Sequence, residues 1–238
     1  MKTCFLRVCL ESDTTLGRGD GVAGEVDAEV EHDEYGLPYV RGRKLKGLVA
    51  EECANLLYAV AKQNNTKISD WYKTADWLFG RPGSTLADDG ALHVGEALLP
   101  EDLRLAVMEA VEREVDDPLR IEKQEILESL TAIRRQTAMT PDGAPLTGTL
   151  RASRVVLRQT VFIAQLDCDF DLKDHPALWL LAASVVSVRR LGKGRNRGLG
   201  KVSILLAERA DDSEAQARQF TGDCLKSFAS ALNGKEAA

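Results

Sequence analysis

The sequence has no apolar run approaching the roughly 20 residues that a helix needs to cross a bilayer. Its N-terminus, Met1 to Arg7, breaks its apolar pattern at Arg7 and soon reaches Glu11 and Asp13, unlike a secretory leader. Residues that build covalent or metal frameworks are also sparse. The five cysteines, Cys4, Cys9, Cys53, Cys168 and Cys224, are odd in number and scattered, with no C-x-x-C pair to seed a zinc site. His32, His93 and His175 stand apart, none with a second ligand at metal-site spacing. These absences exclude a disulfide scaffold and a zinc module, and they predict a cytoplasmic protein with reduced core thiols and no membrane association.

Acid is the last thing missing, and only locally. The chain carries a net charge of −6, yet the thirteen residues from Arg189 to Lys201 hold six cations and four glycines without one carboxylate. Glycine lets the backbone turn through positive φ and approach a ligand, while guanidinium and ammonium groups give charge-assisted hydrogen bonds to phosphate. Gly192, Lys193, Gly194, Arg195, Arg197, Gly198, Gly200 and Lys201 therefore read as a polyanion-binding loop. It is not a Walker loop, which needs glycine in place of Arg195 and a metal-binding hydroxyl in place of Val202. Nor is it a dinucleotide fingerprint, because Arg197 stands where a third glycine would let a helix pack closely.

Charge is segregated elsewhere too. Arg41, Arg43, Lys44 and Lys46 form a second basic cluster, directly after the acids Glu25, Asp27, Glu29, Glu31, Asp33 and Glu34, and more acids collect from Glu109 to Asp117. That pattern suits a protein that grips a polyanion on one side and meets proteins or solvent on the other. Apolar alternation predicts strands over 3–10, 25–31, 91–98, 154–167 and 202–206. Helical spacing predicts a long helix opening at Gly42, a charged helical stretch over 101–130 broken at Pro118, an apolar helix over 178–188 and a polar-faced one over 211–232. The helix at Gly42 would aim its free N–H groups into the basic cluster, a favourable place for phosphate. The order of elements predicts an α+β fold: a modified ferredoxin-like or RRM-like antiparallel sheet with helices on one face, in a single domain over 1–238 with loop insertions around 64–90 and 100–153.

Several segments taken in order resemble the RAMP superfamily of CRISPR ribonucleoproteins, and most of all the repeated backbone subunit of type III effector complexes. They are Gly24 to Val30; Leu37-Pro38-Tyr39-Val40-Arg41-Gly42-Arg43-Lys44-Leu45-Lys46-Gly47; Trp77-Leu78-Phe79-Gly80 followed by Gly90-Ala91-Leu92-His93-Val94; and the loop at 192–200. The resemblance implies an antiviral-defence subunit that binds guide RNA by its backbone. It also implies partnership with target RNA, with other effector subunits and with copies of itself. In members that keep one aspartate it implies cleavage of paired target RNA, which places that role on Asp27, with a divalent cation, Mg, as cofactor. Asp27 also has a bland account, as one carboxylate in a row with Glu25, Glu29 and Glu31 that faces water.

The departures from the family pattern are specific. Arg43-Lys44 replaces Ser-Ser before Leu-Lys-Gly, adding charge, and Asp13, Arg18 and Asp20 stand where histidine is common. Arg134 and Arg135, in a segment short for a protruding hairpin, are expected to reach RNA, with Met139 and Leu146 as apolar wedges. Two other readings stay open: a structural subunit that binds RNA without cutting it, and a guide-processing endoribonuclease with His32 as general base.

Overall fold

The computed structural model describes the chain except residues 1, 18, 20, 22–25, 64–67, 82–88, 170, 174 and 234–238. Arg18, Asp20, Gly24 and Glu25 therefore lie outside the described residues, as does part of the 64–90 insertion. The centre of the fold is β1 (Thr3–Leu10), where every second residue is buried. That face carries Cys4, Leu6, Val8 and Leu10, as the alternation predicts. β1 lies between β5 (Val161–Cys168) and β6 (Val202–Ala207), with β2 (Leu92–Leu98) outside β5. All pairs are antiparallel, and Leu6 stands opposite both Ala164 and Leu206.

Two helices cover the apolar face. α1 (Gly42–Ala61) buries Leu45, Val49, Cys53 and Leu57, one residue per turn along a single stripe. α5 (Pro176–Ser187) is buried almost all round, which explains its near-continuous apolar sequence. It starts with Pro176 in the first turn, and His175 Nδ1 accepts from Ala177 N–H at 3.1 Å. α2 (Ile68–Phe79) packs Trp71 edge-on against Phe228 of α6 (Glu214–Leu232), their ring centroids 4.9 Å apart. α6 opens on a Ser213/Gln216 capping box. Its Thr221 hydroxyl accepts from Leu206 N–H at 2.9 Å and lies 3.0 Å from the Leu206 carbonyl, so the helix seals the outer edge of β6.

Three sequence expectations need correction. The strand expected over 154–167 is two: β4 (Arg151–Val156) and β5, separated by a turn in which Gln159 has φ +70° and donates its N–H to Leu10 O at 2.6 Å. β4 pairs instead with β3 (Thr131–Gln136) in a hairpin apart from the main sheet. The charged stretch 101–130 is two helices, α3 (Glu101–Val111) and α4 (Lys123–Leu130), and the break that contains Pro118 is wider than expected, running over 112–122. Finally, residues 26–31 bend at Asp27 and join no regular ladder. They make isolated bridges in two directions, Val30 to Gly17 and Ala28 to Ser153 of β4, which burdens both faces of the segment with packing.

Candidate nucleic-acid interface

The start of α1 is fixed by a close approach. A Cβ on Gly42 would lie 2.1 Å from Val94 O and 2.5 Å from Gly95 O, so only glycine lets the helix press on β2 at this point. The N-terminus has no side-chain cap and no acid in its first turn. Its unpaired N–H groups and partial positive charge thus face outward among Arg41, Arg43 and Lys44, which are exposed.

The glycine loop comes from the other end of the chain. Lys193 N–H donates to Thr15 O at 3.1 Å, Gly200 N–H to Asp13 O at 3.1 Å and Leu191 N–H to Gly200 O at 2.8 Å. Gly192, at φ +83°, sits so near Thr15 that a Cβ would be 2.4 Å from its carbonyl oxygen. A tight turn at the tip, Arg197 N–H to Gly194 O at 2.8 Å, leaves Lys193, Arg195 and Arg197 exposed.

These two segments, about 150 residues apart in sequence, meet across a cleft of about 600 Å³. Arg41, Arg43, Lys44, Lys193 and Arg195 line it together with Tyr39 and Glu31. Glu31 is buried and receives Arg41 on both oxygens, Nε at 2.8 Å and Nη2 at 3.1 Å, while Tyr39 Oη donates to it at 3.1 Å. The hydrogen bonds to Glu31 hold the Arg41 guanidinium still higher than usual. Burial, reinforced by the Glu31 hydrogen bond, pushes the Tyr39 phenol up. Lys44 Nζ donates to Gly17 O at 2.6 Å, tying the helix to the N-terminal loop. Arg43, Lys44, Lys193 and Arg195 make no ion pair among the described residues, so they are the cleft cations with charge to offer a ligand. Arg195 also borders a neighbouring depression shared with Arg189 and Arg190.

The other expected residues lie elsewhere. Lys46 points away from the cleft and donates to Leu92 O at 2.9 Å; its burial pulls the ammonium pKa down. Lys201 pairs with Glu11 at 2.7 Å, Arg197 stands at the loop tip, and Gly194 and Gly198 shape that tip with positive φ. Arg134 is held by Asp13, its Nε donating at 2.9 Å, and the second Asp13 oxygen accepts from Arg158 N–H at 3.1 Å. Arg135 is exposed on β3. His32 Nδ1 lies 3.0 Å from Asp33 O, within its own turn rather than in the cleft.

The acidic row does not uniformly face water. Glu29 and Glu31 are both buried, whereas Asp27 is exposed. Arg154 Nε of β4 meets Glu29 at 2.9 Å. The signal for that pair was not local, since its partners are separated by 125 residues. Asp27 is clamped to the hairpin at two points: its N–H donates to Ala152 O at 2.8 Å, and its Oδ2 accepts from Ala152 N–H at 2.7 Å. Its other oxygen has no hydrogen bond among the described residues. Among those residues no three His, Cys, Asp or Glu side chains gather as metal ligands.

No protein-family model matches the chain, and no curated protein matches it. Solved structures do. A chain of the type III-B Cmr-beta complex bound to cognate target RNA superposes with a TM-score of 0.58 at 13% identity, covering 86% of this chain and 96% of that one. The apo state of Cmr-beta gives 0.60 at 13% identity, over 87% and 98% of the two chains. The chain has the fold of a CRISPR-complex subunit. A chain of a type IV-B CRISPR complex agrees, with a TM-score of 0.55 at 12% identity over 89% and 93%. The antiparallel sheet with helices on one face, expected from the order of elements, is thus borne out at the level of the fold. No helix among the described residues is long and apolar enough to cross a membrane.

Proposed function

We propose that this protein is a guide-RNA-binding backbone subunit of a type III-like CRISPR ribonucleoprotein. The observation that carries the reading is the meeting of the Arg43 and Arg195 clusters in one cleft, at an uncapped helix start. The guide's phosphates lie along Arg43, Lys44, Lys193 and Arg195, with N–H groups of α1 completing the contact. Backbone contacts of this kind position RNA without reading its sequence. The Arg43→Ala/Arg195→Ala double variant is expected to bind single-stranded RNA at least about tenfold more weakly for every sequence tried. It should also flatten the log–log salt slope by about 1.4, or about 0.7 for each phosphate that is no longer neutralised. Weakening confined to one sequence, or an unchanged slope, would sink the assignment.

Target cleavage is placed on Asp27. There a ribose 2′-hydroxyl of the paired target attacks its adjacent phosphate while the free Asp27 oxygen accepts the hydroxyl proton; the P–O5′ bond breaks, leaving a 2′,3′-cyclic phosphate and a 5′-oxygen that takes a proton from water. The Ala152 clamp favours a second reading, in which Asp27 only docks the hairpin and the subunit binds RNA without cutting it. Asp27→Asn keeps the oxygen that Ala152 N–H needs but removes the base. Loss of cutting in the assembled complex with RNA binding intact supports catalysis; retained cutting supports the structural role.

A further inference from the structure

Every second residue of β1 points away from α1 and α5, and on that outer face Arg7 stands in the sheet between its register partners Ile163 of β5 and Leu205 of β6. Ala217 of α6 covers only the β6 side, packing with Leu205, Ala207 and Phe5. The rest of the face floors a groove of about 960 Å³, bordered by the start of α3 and by residues 210–212. The α3 side is an acidic shelf. Glu101, Asp102 and Leu105 are exposed there, Leu105 by 58%, and the helix buries none of its residues completely. Arg104 lines the groove from the same shelf.

The two arginines are poorly served by the protein itself. Neither Arg7 nor Arg104 makes an ion pair among the described residues, although Glu96, Glu101 and Asp102 line the same groove and are themselves unpaired there. Glu214, another acid near Arg7, is held by Arg218 at 2.8 Å. Three buried side-chain nitrogens lack a hydrogen-bond partner among the described residues, and two of them are Arg7 Nε and Arg104 Nε. An unpaired guanidinium under cover destabilises a fold, so its presence asks for an acceptor from elsewhere. Local structure offers no compensation. Arg7 sits between two aliphatic side chains, and Arg104 is the fourth residue of α3, in the turn where the helix dipole repels a cation.

We propose that this groove is a peptide-binding site: it holds an extended segment of a protein other than this chain, in which a carboxylate flanked by lysine or arginine docks on Arg7 and Arg104. The carboxylate supplies the acceptors that the two guanidiniums lack. The flanking cations meet Glu96, Glu101 and Asp102, and Phe5, Leu98 and Ile163 give apolar side chains of the segment a floor. RNA does not fit, because five carboxylates line the groove against two guanidiniums. The volume stands at the upper end of the range for small-molecule pockets, and charges of both signs over an apolar floor match the varied side chains of a peptide. The groove and the cationic cleft share no lining residue, so the proposal stands or falls separately from the guide-RNA reading.

The test is fluorescence anisotropy on the full-length protein with labelled pentapeptides, Lys-Xaa-Glu-Xaa-Lys, capped at both ends, in which Xaa is Leu, Val or Phe. Counterparts with Gln in place of Glu measure what the carboxylate contributes. The native protein is expected to bind the best Glu peptide at least about tenfold more tightly than its Gln counterpart. Arg7→Met and Arg104→Met should each erase that preference, yet melt no lower than the native protein, since neither removes an existing pair. The Arg43→Ala/Arg195→Ala protein should keep the preference, whatever its RNA affinity. Equal binding of the Glu and Gln peptides, or a preference that survives either Met variant, overturns the proposal. So does a Met variant that melts well below the native protein, which would make the arginine a structural residue. Displacement of the peptide by oligouridylate would give the groove to RNA, and self-association of the native chain that Arg104→Met abolishes would give it to a second copy; either result also overturns the proposal.

Discussion

The cationic cleft and the acidic shelf of α3 are built in opposite ways. In the cleft, backbone decides position: the helix start leans on β2 through Gly42, and the glycine loop hangs from Thr15 and Asp13 by main-chain hydrogen bonds. On the shelf, side chains decide character, on a helix that buries nothing completely. The contrast teaches that charge can be placed either by shaping the chain or by decorating it. Substitutions should separate the two.

The largest effects should come from the backbone and the buried pair beside it. Arg154→Met leaves Glu29 unpaired in the interior and is expected to cost about 3–5 kcal/mol in urea unfolding, whereas Glu29→Leu with Arg154→Met should recover most of that loss. A double variant as unstable as the single one would mean that the ion pair is not what the site needs. Next is Gly42→Val, whose side chain collides with the Val94 and Gly95 carbonyls. A loss of about 3 kcal/mol is expected, and RNA binding should fall with it; an unchanged midpoint would show that the helix start is not pinned. Gly192→Ala should cost about 2 kcal/mol, part from strain at positive φ and part from Thr15 O. Removing the cap with His175→Ala should cost about 1 kcal/mol. At the bottom, Leu105→Asp should move stability by no more than about 0.5 kcal/mol. A larger change would mean that the shelf belongs to the core and does not differ from the cleft in this way.

What the sequence made legible was local. Cys4, Leu6, Val8 and Leu10 announce their strand by alternation, and Leu45, Val49, Cys53 and Leu57 announce their helix by spacing. The glycine loop was visible by composition, and its partnership with Arg43 was reachable only through motif order. The turn between β4 and β5 escaped because Leu157-Arg158-Gln159-Thr160 contains no glycine, proline or asparagine. Gln159 is held at positive φ by its hydrogen bond to Leu10, a tertiary cause with no sequence signature. The burial of Glu29 and Glu31 escaped for the same reason. Alternating acids resemble a solvated face until Arg154 and Arg41 arrive from distant or separately folded segments.

The Thr221 hydroxyl that meets both polar groups of Leu206 has a consequence for handling the protein. An uncovered β6 would present a row of unpaired amides to any passing strand, the template from which aggregates grow. α6 serves as a guard against that fate, so chains shortened to before Thr221 should precipitate, and affinity tags belong beyond Leu232 rather than within the helix.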